Sequence, residues 1–184
     1  MATRERKPIR GLLDGCFDLV HSGHFNAIRQ GASLCDELVV SIIADEEIHK
    51  VKGPTVLNDD ERASIIKACK WVDVIEPRTP YYVDEALIDK YNCDFYIHGD
   101  DPVMQDGVNT LDLLEKAGKF KYIKRTTGIS TTDITSRLLC LVQQNQSTTK
   151  SETTNPVFSD GSEDSNYTLG TKHDYNDPPK QQFL

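Results

Sequence analysis

Two histidines three residues apart, His21 and His24, close the run Asp14-Gly-Cys-Phe-Asp-Leu-Val-His-Ser-Gly-His24. Imidazoles at that spacing can donate hydrogen bonds to phosphate oxygens, or meet negative charge as it builds on a leaving group. The same pair would also suit an ordinary surface turn, so the surroundings decide. An apolar run, Ile9 to Leu13, precedes them and a segment of helical spacing, Phe25 to Leu34, follows. That is strand, turn and helix start, and the free N–H groups of a first helical turn point at whatever anion binds there. A nucleotide-phosphate site is the chemistry that fits.

Two further clusters carry matching chemistry. Lys124-Arg-Thr-Thr-Gly-Ile-Ser-Thr-Thr132 puts a guanidinium, several hydroxyls and a helix start into one loop. Arg125 offers planar, bidentate bonds to phosphate, and Ser130 or Thr131 as N-cap adds the helix dipole. His98-Gly-Asp-Asp101 offers carboxylates to ribose hydroxyls or a base amino group, though acidic turns also arise without ligands. Lys50 and Lys52 lie in a polar stretch, Asp45 to Asn58, expected to be a loop able to close over substrate. The five cysteines are widely spaced with no Cys-x-x-Cys, so neither zinc site nor disulfide framework is expected. Only Cys16 sits inside the first cluster, and no base stands beside it.

The elements that must position these groups alternate. Strands are expected at Ile9–Leu13, Glu37–Ala44, Val72–Glu76, Phe95–Ile97 and Phe120–Ile123. Helices are expected at Ser22–Leu34, from the N-cap Asn58 through Val72, at Val83–Tyr91, Thr110–Ala117 and Ile134–Val142. Glu37-Leu-Val-Val-Ser-Ile-Ile-Ala44 is almost wholly apolar, as a strand covered on both faces should be. The pattern implies an α/β fold with a doubly wound, five-stranded parallel sheet of Rossmann-like type. Ligands in such sheets bind beyond the C-terminal strand ends, where four of the polar clusters would converge.

Composition narrows the classes. The chain has 184 residues, 38% of them hydrophobic, and a net charge of -8 without a Lys/Arg-rich block. Nucleic acid is therefore a poor partner. No apolar run approaches the ~20 residues needed to span a bilayer, and the N-terminus lacks a signal peptide's apolar stretch, so a cytoplasmic protein is expected. Residues 1–8 read as a polar lead-in, 9–142 as the catalytic domain and 143–184 as a disordered polar tail or linker.

Asp14-Gly-x-Phe-Asp18, His21-x-Gly-His24 and Arg125-Thr-x-Gly-Ile-Ser-Thr131 together resemble the motifs of the cytidylyltransferases of phospholipid synthesis. The resemblance runs over about residues 9–142. The segment Ile97 to Asp101, Asp106-Gly107 and Lys116 to Gly118 looks most like the branch acting on ethanolamine phosphate. It implies a nucleotidyltransferase-type fold and transfer of a cytidylyl group from CTP, with Mg2+, to that acceptor. Choline phosphate or glycerol 3-phosphate as acceptor, or a nucleotide-binding half inactive alone, remain alternatives. The resemblance implies that His21 and His24 face the triphosphate, with Cys16 and Phe17 lining the nucleotide cleft. His98 and Asp100 would hold the cytidine, and Lys124, Arg125, Thr126, Ile129, Ser130 and Thr131 the base and phosphates. Lys52 would bridge α-phosphate and acceptor; Lys70 and Tyr81 would serve the phosphorylated amine. It also implies pairing, with a second copy or with a second cytidylyltransferase half to which the tail would be the linker.

Overall fold

The first strand, β1 (Arg10–Gly15), sends Leu12 to one face of a sheet and Leu13 to the other, and both are covered. This computed structural model describes residues 6–151. After β1 come α1 (Ser22–Ala32), β2 (Glu37–Ile43), α2 (Asp45–Val51), α3 (Asp59–Lys67) and β3 (Val74–Thr79). Then follow α4 (Glu85–Lys90), β4 (Phe95–His98), a hairpin of β5 (Met104–Gln105) and β6 (Val108–Asn109), α5 (Thr110–Lys116), β7 (Phe120–Tyr122) and α6 (Thr131–Ser151). The main sheet has five strands in the order β3-β2-β1-β4-β7, every neighbouring pair parallel.

Alternation along the central strands builds two cores. Leu13, Val40 and Ile97 face Ile28 of α1 and Ile66 of α3. Leu12, Val39 and Tyr96 face Leu87 and Ile88 of α4 and Leu111 and Leu114 of α5. Each such aliphatic side chain, fully buried, contributes roughly 1.5–3 kcal/mol. Gly31 lets α1 approach closely, since a Cβ there would stand 3.0 Å from a Leu13 methyl. The doubly wound sheet expected from the sequence is what forms. From β1 the chain winds outward to β2 and β3, then returns to the other side with β4 and β7. The order reverses between β1 and β4, and that switch point is where such sheets open a crevice.

Four elements differ from expectation. The polar stretch after β2 is not all loop, because Asp45–Val51 forms α2. Asp45, Glu46 and Glu47 in its first turn and His49 and Lys50 in its last complement the helix dipole. Only Ile48 is buried, too little for a periodic signal. β3 runs through Pro77, which ends no strand here because β3 is the sheet edge, where a missing N–H costs no ladder bond. The expected loop 102–109 contains the β5–β6 hairpin. α6 continues past Val142 to Ser151, since no Gly or Pro interrupts it; residues 152–184 of the expected tail lie outside the described residues. Residues up to Asn145 form one compact unit. Among the described residues no helix is long and apolar enough to cross a membrane.

Candidate active site

The turn between β1 and α1 is held in conformations that L-residues seldom adopt. Phe17 (φ 50°) and Leu19 (φ 46°) are both left-handed, at roughly 1–2 kcal/mol each. Burial of the Phe17 ring, 2% exposed, helps hold that turn. Asp18 ties it outward: its carboxylate accepts from the Val56 and Leu57 N–H groups at 2.8 and 3.0 Å. Its carbonyl accepts from the Thr131 hydroxyl at 2.9 Å.

His21 and His24 cap the helix that follows. The Gly23 N–H donates to His21 Nδ1 at 3.1 Å, and the His21 N–H donates to His24 Nδ1 at 3.4 Å. The rings stack with centroids 3.9 Å apart. The His-x-Gly-His spacing has a steric reason as well, because a Cβ on Gly23 would stand 2.9 Å from the His21 ring. A neutral imidazole whose Nδ1 accepts a hydrogen bond carries its proton on Nε2. Both rings thus offer an Nε2–H donor. Burial, then the neighbouring His21, lowers His24 to about 4, so it is neutral at physiological pH; burial also lowers His21, against the pull of Asp133.

Behind the turn stands a residue that sequence reasoning missed. Arg62, on α3, is 0% exposed. It donates to the carbonyls of Cys16 and Ile43 and to the carboxylates of Asp45 and Asp59, the latter two at 2.7 and 2.6 Å. Asp45 and Asp59 each accept the other's backbone N–H, at 3.1 and 2.9 Å respectively. A buried guanidinium bound in this way through both terminal nitrogens, its Nε alone unpartnered, fixes the ends of β1 and β2 relative to each other. The Glu61-Arg62 pair near a helix start reads as surface charge, and nothing in its spacing signals burial.

The facing wall is the segment Lys124 to Ser130. Gln30 of α1 pins it by exchanging hydrogen bonds with the Lys124 backbone at 2.9 and 3.0 Å. Asn26 donates to the Thr126 hydroxyl at 2.9 Å. Ser130 caps α6, its hydroxyl accepting from the Asp133 N–H at 3.1 Å. Arg125 reaches back to Asp101 across the opening, both side chains more than half exposed.

Between the walls lies a cavity of about 660 Å³. It brings together Cys16, Phe17, His21, His24, Lys52, His98, Lys124, Arg125, Thr126, Ile129, Ser130 and Thr131. Lys52, at the C-cap of α2, places Nζ 3.8 Å from Cys16 Sγ and 5.5 Å from the Tyr81 ring centre. Its neighbour Lys50, expected to join it over the site, instead pairs with Glu47 at 2.6 Å.

Three expected site residues are placed elsewhere. Asp100 is exposed and off the cavity wall; its neighbour Asp101 takes that place, facing Arg125. Lys70 lies in the turn between α3 and β3, with Nζ 5.0 Å from the Trp71 ring. In a parallel sheet that turn is at the N-terminal strand edge, opposite the site. Tyr81 lines not the large cavity but a small adjoining one of about 70 Å³. There it joins Tyr96, Lys52, His98 and Asp14, whose carboxylate accepts from the Tyr96 hydroxyl at 2.5 Å. Burial raises Asp14 above the usual carboxylate range, partly offset by His98, Tyr96 and Lys52. Asp14 belongs to the quoted motif, yet sequence reasoning assigned it no role.

A histidine-capped turn, neutral imidazole donors and a basic facing loop at the switch point of an open parallel sheet mark an α/β fold of nucleotidyltransferase type. The chain matches the family model described as cytidylyltransferase-like over residues 12–137, and it belongs to that family. It is 46% identical over 156 residues to an ethanolamine-phosphate cytidylyltransferase of Dictyostelium discoideum, covering 84% of this chain and 43% of that protein. The corresponding protein of Arabidopsis thaliana is 45% identical over 174 residues, covering 86% and 41%. A probable choline-phosphate cytidylyltransferase of Schizosaccharomyces pombe is 36% identical over 138 residues, covering 73% and 38%. The chain thus spans about two fifths of the length of these curated relatives. A solved lipopolysaccharide core biosynthesis protein of Thermoplasma volcanium shares the fold, with TM-score 0.55 and 21% identity, covering 67% of this chain and all of that one.

Proposed function

We propose that this domain transfers the cytidylyl group of CTP to ethanolamine phosphate, giving CDP-ethanolamine and pyrophosphate. One observation carries the reading: two cavities of different character meet at Lys52. The large one, between the histidine turn and the Lys124–Ser130 loop, suits a nucleoside triphosphate. The small one, with Asp14 and the Tyr81 and Tyr96 rings, suits an ammonium group, which a carboxylate and aromatic faces attract. Lys52 lines both, where an acceptor phosphate would meet the α-phosphorus. The likeness to ethanolamine-phosphate cytidylyltransferases supports the choice of acceptor.

In this reading an oxygen of the acceptor phosphate forms the new bond to the α-phosphorus. The bond from that phosphorus to the bridging oxygen breaks in line, and pyrophosphate leaves with the electron pair. The acceptor is already an anion, so no serine or cysteine nucleophile is required. Nε2–H groups of His21 and His24 meet the charge growing on pyrophosphate, and Lys52 holds the two reacting phosphates together. Arg125 leaves Asp101 for the triphosphate, while His98, Lys124, Thr126 and Ile129 surround the nucleoside. Among the described residues no group of three acidic, imidazole or thiol side chains is placed to hold a metal ion. Mg2+ enters this proposal as the counter-ion of CTP, held by phosphate oxygens and water. Pairing with a second copy, or with another cytidylyltransferase half, belongs to the same proposal; light scattering reads it.

The test is incubation of the chain with CTP, Mg2+ and one of three acceptors: ethanolamine phosphate, choline phosphate or glycerol 3-phosphate. Product is followed by mass, with ATP replacing CTP in a second arm. CDP-ethanolamine should dominate, and Lys52→Ala should raise KM for the acceptor and slow turnover. CTP binding without any product would overturn the reading.

A further inference from the structure

One helix carries both walls of the large cavity. His21 and His24 cap α1 at its start, and positions 23, 26 and 30, which share one face of the helix, meet the facing loop. A Cβ on Gly23 would stand 3.3 Å from Ile129 Cγ2, and Asn26 donates to the Thr126 hydroxyl at 2.9 Å. Gln30 exchanges two hydrogen bonds with Lys124. The loop therefore runs back along α1, with Ile129 beside the histidines and Lys124 farthest from them. The six residues from His24 to Gln30 amount to about 9 Å of helix.

The Gln30 contact differs in kind from the other two. Lys124 follows β7, the edge of the main sheet, and the residue between them still pairs inward, the Ile123 N–H donating to the His98 carbonyl at 2.9 Å. Beyond that point the chain leaves the sheet. The Lys124 N–H donates to Gln30 Oε1 at 3.0 Å, and the Lys124 carbonyl accepts from Gln30 Nε2 at 2.9 Å. A primary amide has both the donor and the acceptor of a peptide group, so Gln30 holds Lys124 through its backbone as a neighbouring strand would. Gln30 Nε2 also donates to the Asn26 carbonyl at 3.3 Å, which fixes the amide's orientation. The residue joined to this anchored backbone is Arg125, whose side chain is more than half exposed. The main chain is held and the guanidinium is left to swing.

We propose that Gln30 is a positioning residue for CTP: by fixing the Lys124 backbone at a set distance along α1 from His24, it aims Arg125 at the phosphates that the histidines meet. The inference rests on the nucleotide reading of the large cavity above and adds a residue outside it. Gln30 does not line that cavity, so it acts on a ligand only through the loop. Without its two bonds Arg125 keeps its charge and loses its aim. The cost falls on CTP affinity. The chemical step, assigned to His21, His24 and Lys52, keeps its own supports in the β1–α1 turn and α2. The acceptor, on the far side of Lys52, is not reached by the loop's displacement.

The experiment uses the full chain as wild type, Gln30→Met, Gln30→Ala, Arg125→Ala and the Gln30→Met/Arg125→Ala double variant. Met keeps the side chain's length and helix propensity and removes both bonds; Ala is the second, smaller probe. Ser33→Ala, which loses a hydroxyl bond to the Gln30 carbonyl at the end of the same helix, is the control for helix stability alone. Each is checked by circular dichroism. CTP binding is read by calorimetry, and kcat and both KM values by product mass. Gln30→Met should weaken CTP binding and raise KM for CTP by about 5- to 10-fold, leaving kcat and KM for ethanolamine phosphate within about 2-fold. In the Arg125→Ala background the same change should add less than about 2-fold, because the two residues act in series. Ser33→Ala should leave CTP binding unmoved. Unchanged CTP affinity in the folded Gln30 variants overturns the proposal. So does a full Gln30→Met effect in the Arg125→Ala background, or an equal loss in Ser33→Ala. If wild type binds CTP and makes no product, the functional reading falls and the calorimetric comparison still decides this inference. If wild type does not bind CTP, both fall.

Discussion

The wall formed by the β1–α1 turn and the wall formed by Lys124–Ser130 face each other across one cleft and are built by opposite means. The first is anchored from several sides. Arg62 binds it from beneath, Asp18 ties it to the loop before α3 and to α6, and the two histidines cap their own helix. The second hangs on α1 by Gln30 and Asn26, and its guanidinium rests on the exposed Asp101. A group that stabilises charge only in a transition state gains most from being fixed beforehand. A group that must exchange one anion for another has to remain able to move. In the proposed reaction, this difference suits the first wall to transition-state stabilisation and the second to ligand capture.

The largest effect should come from beneath the anchored wall. Arg62→Met leaves Asp59, 7% exposed, with only the longer contact to Arg78 at 3.6 Å, and breaking such a buried pair costs about 3–5 kcal/mol. Urea unfolding reads it. An unchanged midpoint would mean that packing alone holds the turn, and the contrast between the walls would collapse. Next, His24→Ala should lower kcat by about 10²- to 10³-fold while KM for CTP moves less. A variant that loses only substrate affinity would move His24 into the capture role.

His24 also makes the anchored wall sensitive to pH. Its folded value is about 4, below the ordinary 6.5, through burial first and His21 second. Between those values an unfolded chain binds a proton that the folded chain does not. Stability should therefore be full above about pH 6.5 and fall as pH drops toward about 4. Unfolding followed across that range checks the sign, and His24→Ala should flatten the slope. The opposite wall should behave otherwise. Arg125→Ala removes an ion pair whose side chains are 61% and 56% exposed, so stability should change by about 0–1 kcal/mol at most. Loss of its charged bonds to phosphate, about 1.5–3 kcal/mol, should raise KM for CTP by roughly 10- to 100-fold. A large stability loss in Arg125→Ala would show that this wall is anchored too.

What the sequence disclosed follows the same division. β2 was legible because seven consecutive residues are buried or nearly so, and their apolar run shows it. The convergence of His21, His24, His98 and Arg125 followed from strand and helix alternating, since every strand in a parallel sheet ends on the same edge. That rule, applied to the turn holding Lys70, would have excluded it, because the turn enters a strand and does not leave one. α2 escaped because a helix with one buried residue has no period. Arg62 escaped for a deeper reason. Its burial depends on Asp45, Asp59 and two carbonyls brought together from separate segments, and no local pattern encodes that meeting.

The smallest effect tests how firmly the capturing wall is held. Asn26 sits on α1, its carbonyl oxygen taken by Arg29 at 2.8 Å and its amide donating to the Thr126 hydroxyl. Asn26→Ala removes the part-buried bond to Thr126, worth about 0.5–1.5 kcal/mol, along with the exposed Arg29 contact, and leaves the two Gln30 bonds to Lys124 intact. Global stability should fall by no more than that. Hydrogen exchange should quicken locally, around Thr126, and leave the β1–α1 turn untouched. If the histidine turn also lost protection, the two walls would be one cooperative unit. The division of labour would then rest on their chemistry alone and not on how they are fastened.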